Sequence, residues 1–237
     1  FNCAAFSPYL LTVAEAGRRA VARRVHAWNV RSAELPHGAD RVRALFARLI
    51  NATADAIAVT PATSYGIAVA AANLELAAGQ NIVVLRDQFP SNYYVWVKKA
   101  ERAGAAMRVV PRPGNGDWTP GVLDAIGEDT AIAALPECHW MDGGLLDLEA
   151  IGVRCRELGA AFVIDATQSV GARRFDVEKI QPDFLACSAY KWLLAPYTLA
   201  FLYAAPHRRA GAPLEWHGGN HDPDRQQGTY STALRQT

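Results

Sequence analysis

No apolar run in this 237-residue sequence reaches membrane-spanning length, and its N-terminus lacks the charged-then-apolar pattern of a signal peptide. Neither feature supports a membrane role. Cysteine is scarce: Cys3, Cys138, Cys155 and Cys187 are scattered without a CxxC pair. That scatter excludes a disulfide framework and reads as reduced thiols in a cytoplasmic setting. An excess of either charge is also missing, since the formal net charge is only +1 and the basic residues are spread along the chain. The stretch RRAVARR (Arg18–Arg24) sets its arginines among alanines, as on the wet face of a helix, so no nucleic-acid partner is expected. No internal repeat is present.

What the chain has is core. Hydrophobic residues make up 51% and charged residues 20%, which argues against disorder and for one large domain or two small ones. Residues 1–50 form an N-terminal segment of helical character, with 3–4 apolar spacing in Val13–Trp28 and Ala39–Ile50. From residue 51 to 205 short apolar runs alternate with helical patterns. Strands are predicted at Ala56–Thr60, Asn81–Leu85, Met107–Pro111, Ala131–Pro136, Ala161–Asp165, Asp183–Ser188 and Thr198–Ala204. Helices are predicted at Ser64–Ala78, Asn92–Gly104, Pro120–Gly127 and Asp147–Gly159. Continuous apolar strands separated by amphipathic helices indicate a three-layer α/β/α fold around a mostly parallel sheet. Residues 206–237 form a polar tail without periodicity, read as a loop region or an arm ordered by a partner subunit.

Ligands in such sheets bind beyond the carboxyl ends of the strands, and five features fall there. TPATSYG opens a helix with Thr63 and Ser64, either a phosphate cradle or an ordinary N-cap. Asp165 ends the apolar run FVID, a costly place for a carboxylate unless it meets a cation or a protonated nitrogen. Lys191 follows FLACS, where burial would lower its pKa and free an amine for a Schiff base; alone it would read as a solvated lysine. Phe89 lies on a loop after a strand, fit to cover a flat ligand or simply to pack. PECHWMDGG offers His139, Trp140 and Asp142, or a loop whose polar groups satisfy backbone. Together they describe a phosphate grip, an aromatic cover, an acid for a ring nitrogen and a Schiff-base lysine, the set that suits pyridoxal 5′-phosphate.

The stretch VIDATQSVG…DFLACSAYKWLLAPYTLAFLY resembles the heart of class V aminotransferase-like enzymes of pyridoxal-phosphate fold type I. That group includes cysteine desulfurases, selenocysteine lyases and isopenicillin N epimerase-like proteins. The spaced D-x-x-Q and S-x-x-K pair carries the likeness, supported by ATSYGIAVAA, FPSN and HWMDGGLLDLEAI. The resemblance implies that Lys191 forms the aldimine and Asp165 pairs with the pyridine nitrogen. It implies Gln168 at the phenolic oxygen, with Asp142 and His139 nearby. Thr63, Ser64 and Ser188 would bind phosphate, Phe89 would stack on the ring, and Tyr190 would stand where histidine is common. It further implies an amino-acid substrate, chemistry through a quinonoid, and a homodimer in which the segment His217–Asp222 of one chain adds a phosphate contact.

The family's glycines after the lysine appear here as Ala195, Thr198 and Ala200, so the backbone after Lys191 is expected to pack differently. The C-terminal small domain of the family, with its carboxylate-binding arginine, is not expected within 237 residues, which leaves Arg225 or Arg235 for that task. None of the cysteines falls where persulfide chemistry needs one, which disfavours a desulfurase and favours a lyase or epimerase. Two further alternatives are a true aminotransferase and a shortened homologue that binds the cofactor or a partner without catalysis. A metal hydrolase built on His217, His221 and Asp222 lacks a scaffold, so no metal is expected.

Overall fold

The computed structural model describes residues 2–30 and 35–216. Seven strands form one sheet: β1 (Ile57–Thr60), β2 (Asn81–Leu85), β3 (Ala106–Val110), β4 (Thr130–Pro136), β5 (Ala161–Asp165), β6 (Phe184–Ser188) and β7 (Ala200–Ala204). Their order is β1-β7-β6-β5-β4-β2-β3. The pairs β2–β3, β2–β4, β4–β5 and β5–β6 are parallel, whereas β7 runs antiparallel to both β6 and β1. Residues 189–199 are too few for a crossover helix, so β7 has to return antiparallel. The sheet is mostly parallel, as the apolar runs predict.

The flanking helices are α1 (Leu11–Arg24), α2 (Leu35–Leu49), α3 (Thr63–Asn73), α4 (Tyr94–Ala103), α5 (Thr119–Ala125), α6 (Leu148–Leu158) and α7 (Val177–Ile180). Because strand side chains alternate, each buried strand feeds two cores. Ile82, Val84, Val163, Phe184 and Ala186 face α3 and α4, where Ile67, Ala70, Trp96 and Ala100 meet them. Val83, Leu85, Phe162, Ile164, Leu185 and Cys187 face α2, α5 and α6 through Phe46, Ile50, Val122, Ile126 and Ile151. These are the three layers expected from the sequence.

Two element ends differ from the sequence pattern for identifiable reasons. The helix expected to reach Ala78 stops at Asn73, whose amide bonds the Val69 carbonyl and the backbone of Ala212 instead of prolonging the helix. The short α7 has no apolar period to announce it, and is fixed by Asp176 accepting from the Glu178 and Lys179 amides. One close approach matters for the site. A Cβ on Gly66 would lie 3.0 Å from the Ala186 Cβ, so glycine lets α3 settle onto β6 and brings its start beside the end of that strand.

Candidate active site

β5 and β6 are parallel neighbours, with Asp165 in register with Ala186, so Asp165 and Ser188 emerge at the same edge of the sheet. The loops leaving β1, β2, β4, β5 and β6 close around a cavity of about 230 Å³ there. Thr63, Ser64, Phe89, Asp165, Gln168, Ser188, Tyr190 and Lys191 all line it. Eight of the ten residues singled out from the sequence therefore converge on one cavity (the remaining two are His139 and Asp142).

Asp165 and Lys191 are 6% and 4% exposed, so both charges are held almost out of water. The carboxylate accepts from the Thr167 amide at 3.1 Å. Burial raises the Asp165 pKa above the ordinary carboxylate value, against the Thr167 hydroxyl and amide and the attraction of Lys191. Burial likewise lowers the Lys191 pKa, opposed by Asp165 and Cys187. The ammonium faces the Phe89 ring, 5.0 Å from its centroid, and the Tyr190 ring at 5.8 Å. The two charges attract but form no direct pair, leaving each to meet a ligand.

At the start of α3 the N-cap is Ala62, in extended conformation and without a side-chain bond of its own, and the Thr63 amide donates to Ser188 Oγ at 3.4 Å. The ordinary Ser/Thr N-cap is thus not what is found. The Thr63 hydroxyl instead lies 2.6 Å from Ser188 Oγ and 2.9 Å from Thr167 Oγ1. A hydroxyl cluster at a helix N-terminus suits an anion.

Gln168 is held at both ends of its amide. Its Nε2 donates to the Ala4 carbonyl at 3.0 Å, and its Oε1 accepts from Trp192 Nε1 at 2.9 Å. Ser7 donates through its hydroxyl to the Tyr190 carbonyl at 2.8 Å. The segment from Asn2 to Ser7 is thereby strapped along one wall of the cavity. Phe6 continues the wall with Tyr190 and Tyr197, whose rings lie 4.6 Å apart.

His139 and Asp142 are not brought to the cavity lining. The turn between Cys138 and Leu145 rotates His139 inward, where it is fully buried and stacked on Trp118 at 4.8 Å. His139 Nε2 donates to the Arg86 carbonyl at 3.1 Å. Asp142 accepts from the Gly144 amide at 2.9 Å and from Arg112 at 2.8 Å. Burial works to raise the Asp142 pKa, but Gly144, His139 and Arg112 together hold it below the usual value. These contacts make the pair a clamp on its own loop, and their place near a cofactor does not follow.

The cavity also contains Trp140, which the PECHWMDGG stretch offered, and Thr167, Cys138 and Tyr197, to which the sequence assigned no role. Trp140 meets Phe89 edge to face at 5.5 Å, and burial raises the Cys138 thiol pKa, with Glu137 and Asp142 adding to it. Only Thr167 carried a usable signal, as the inner hydroxyl of D-x-T-Q. Among the described residues no group of three His, Cys, Asp or Glu side chains could hold a metal ion. His217, His221, Asp222, Arg225 and Arg235 lie outside the described residues.

A mostly parallel sheet with a ligand cavity beyond its strand ends defines the general class, a three-layer α/β/α protein. The chain belongs to the class-V aminotransferase family, whose pattern matches residues 10–235. It is 34% identical over 160 residues to a probable cysteine desulfurase of Methanothermobacter thermautotrophicus, a match spanning 67% of this chain and 40% of the relative. It is 29% identical over 204 residues to the cysteine desulfurase IscS of Methylobacillus flagellatus, covering 81% and 48%. The chain therefore spans less than half the length of these relatives. Among solved structures it superposes on the apo cysteine desulfurase of Thermococcus onnurineus with TM-score 0.83 at 22% identity, covering 100% of this chain and 61% of that one. It superposes on the cystine C-S lyase C-DES, solved with its product cysteine persulfide, with TM-score 0.85 at 20% identity, covering 100% and 64%.

Proposed function

We propose that the protein binds pyridoxal 5′-phosphate and acts on an α-amino acid as a lyase. The observation that carries this reading is the pair of buried, mutually unbonded charges, Asp165 and Lys191, beside the hydroxyl cluster at the start of α3. The residues fit the cofactor by the chemistry of the donor set: hydroxyls at a helix N-terminus for a phosphate, a buried acid for a ring nitrogen, a buried amine for an aldehyde. When bound, the cofactor supplies an electron sink that stabilises a carbanion at the substrate α-carbon.

The chain's own residues divide the remaining work. Thr63, Ser64 and Ser188 hold the phosphate, and Phe89 covers one ring face. Asp165 keeps the proton on the ring nitrogen, where a fixed carboxylate in a dry site acts most strongly. Gln168 has one amide hydrogen left for the phenolic oxygen. Lys191, whose pKa burial lowers, moves the α-proton. Tyr190 and Tyr197 line the approach. His139 and Asp142 support the loop after β4.

The relatives' names favour carbon–sulfur cleavage among the outcomes open to this machinery, and so weigh against the reading that set desulfurases aside. Epimerisation uses the same α-proton step, and the assay separates the two. The purified protein should absorb at about 410–430 nm, and borohydride or Lys191→Ala should remove the band. Incubation with cysteine or cystine should then release pyruvate with sulfide or persulfide if the protein eliminates, or alanine if it desulfurates. Loss of optical activity without pyruvate identifies an epimerase, and a colourless protein that takes up no added cofactor overturns the proposal.

A further inference from the structure

The proposed roles leave Thr167 between two groups that they treat separately. Its amide donates to Asp165 Oδ1 at 3.1 Å, and its hydroxyl is among the groups that lower the Asp165 pKa against burial. On the other side Thr167 Oγ1 accepts from the Ser188 amide at 3.2 Å and stands 2.9 Å from Thr63 Oγ1. Thr63 Oγ1 in turn stands 2.6 Å from Ser188 Oγ. Thr167, Thr63 and Ser188 are 8%, 5% and 7% exposed, so water has little part in this row.

The hydrogens can be counted. Each hydroxyl donates one, so the row holds three, and its two internal contacts consume two of them. One hydrogen is left over. If Thr63 donates to Thr167, Ser188 must donate to Thr63, and the free hydrogen is on Thr167 beside Asp165. If Thr167 donates to Thr63 instead, the free hydrogen moves to Thr63 or Ser188, at the start of α3. In that arrangement Asp165 keeps only the amide bond.

We propose that Thr167 is a positioning residue that joins the ring acid and the phosphate grip into one unit through this single free hydroxyl hydrogen. With a phosphate at the start of α3 the hydrogen turns to it, and the Asp165 carboxylate is released to accept the ring-nitrogen proton. Without a phosphate the Thr167 hydroxyl competes for that carboxylate. The inference rests on the proposed cofactor reading and predicts that the two halves of the cofactor bind cooperatively.

The test uses the whole protein, stripped of cofactor, with pyridoxal and inorganic phosphate as separate probes. Saturating phosphate should tighten pyridoxal binding by at least about fivefold, the lower end of common coupling factors. Thr167→Ser should keep that factor, and Thr167→Val, which retains the amide but loses the hydroxyl, should bring it close to one. Thr63→Val breaks the row from the other side and should also abolish the coupling, which covers the case of a Thr167→Val protein that fails to fold. The ring-nitrogen 15N shift of labelled pyridoxal should respond to phosphate in the wild type and not in Thr167→Val. Equal coupling in wild type and both valine variants, or none in the wild type, overturns the role of Thr167 while leaving the cofactor reading in place. Failure of pyridoxal and its phosphate to bind at all overturns the cofactor reading itself.

Discussion

Asp165 shows how a single residue can cost stability where it serves chemistry. Its folded pKa is raised by burial, so between the unfolded value near 3.8 and the folded one the native state binds more protons than the unfolded state. Stability therefore falls as pH rises through that window. Asp165→Asn removes the buried charge and keeps an oxygen for the Thr167 amide. The cofactor-free variant should melt higher than wild type at pH 7, by roughly 2–4 °C for each kcal/mol relieved, and this difference should shrink toward pH 4 when followed by calorimetry. The same variant should lose activity by at least about a hundredfold, the usual scale for losing one preorganised electrostatic partner. Lys191 behaves in the opposite sense. Its folded pKa is lowered, so the unfolded state binds more protons over the window below 10.5, and its cost eases as pH rises through it.

At the scale of elements, the loop between β6 and β7 stores strain. Leu194 and Thr198 take left-handed backbone, with φ of 53° and 66°, and Thr198 stands where the resembling family carries glycine. A β-branched residue there is costly, by about 1–2 kcal/mol, of which glycine's extra chain entropy takes back about 0.5–1. Thr198→Gly should thus raise the melting temperature by roughly 1–4 °C. Gly171 marks the opposite constraint, since it has φ of 97° and a Cβ there would come within 2.6 Å of the Trp192 carbonyl. Gly171→Ala should cost at least about 2 kcal/mol in urea unfolding and loosen the Trp192–Gln168 bond. Such contrasts show what could be read beforehand. β2 and β5 were legible to the residue because buried parallel strands are unbroken apolar runs that end on polar groups. Asp165, which ends β5, stood out for the same reason, and Lys191 stood out three residues beyond the apolar run of β6. His139 and Asp142 sat on a loop whose turn geometry decides which way each side chain points, and sequence spacing does not encode that rotation. Cys138 and Tyr197 reach the cavity through tertiary packing alone.

At the scale of the molecule, α1 buries none of its side chains, and Leu11, Val21 and Trp28 are 88%, 72% and 79% exposed. We propose a homodimer, in keeping with the family resemblance. Light scattering should give twice the chain mass, and Trp28→Glu is a direct probe of whether this face contributes. No helix among the described residues is long and apolar enough to cross a membrane. The strap from Asn2 to Ser7 has a consequence in time. Ala4 is made 164 residues before its partner Gln168, and Ser7 183 residues before Tyr190. During synthesis these bonds have to wait until the chain past β6 has left the ribosome, so the segment from Asn2 to Ser7 is among the last to find its place. Nascent chains arrested before Tyr190 should capture no cofactor, whereas chains released after β7 should turn yellow.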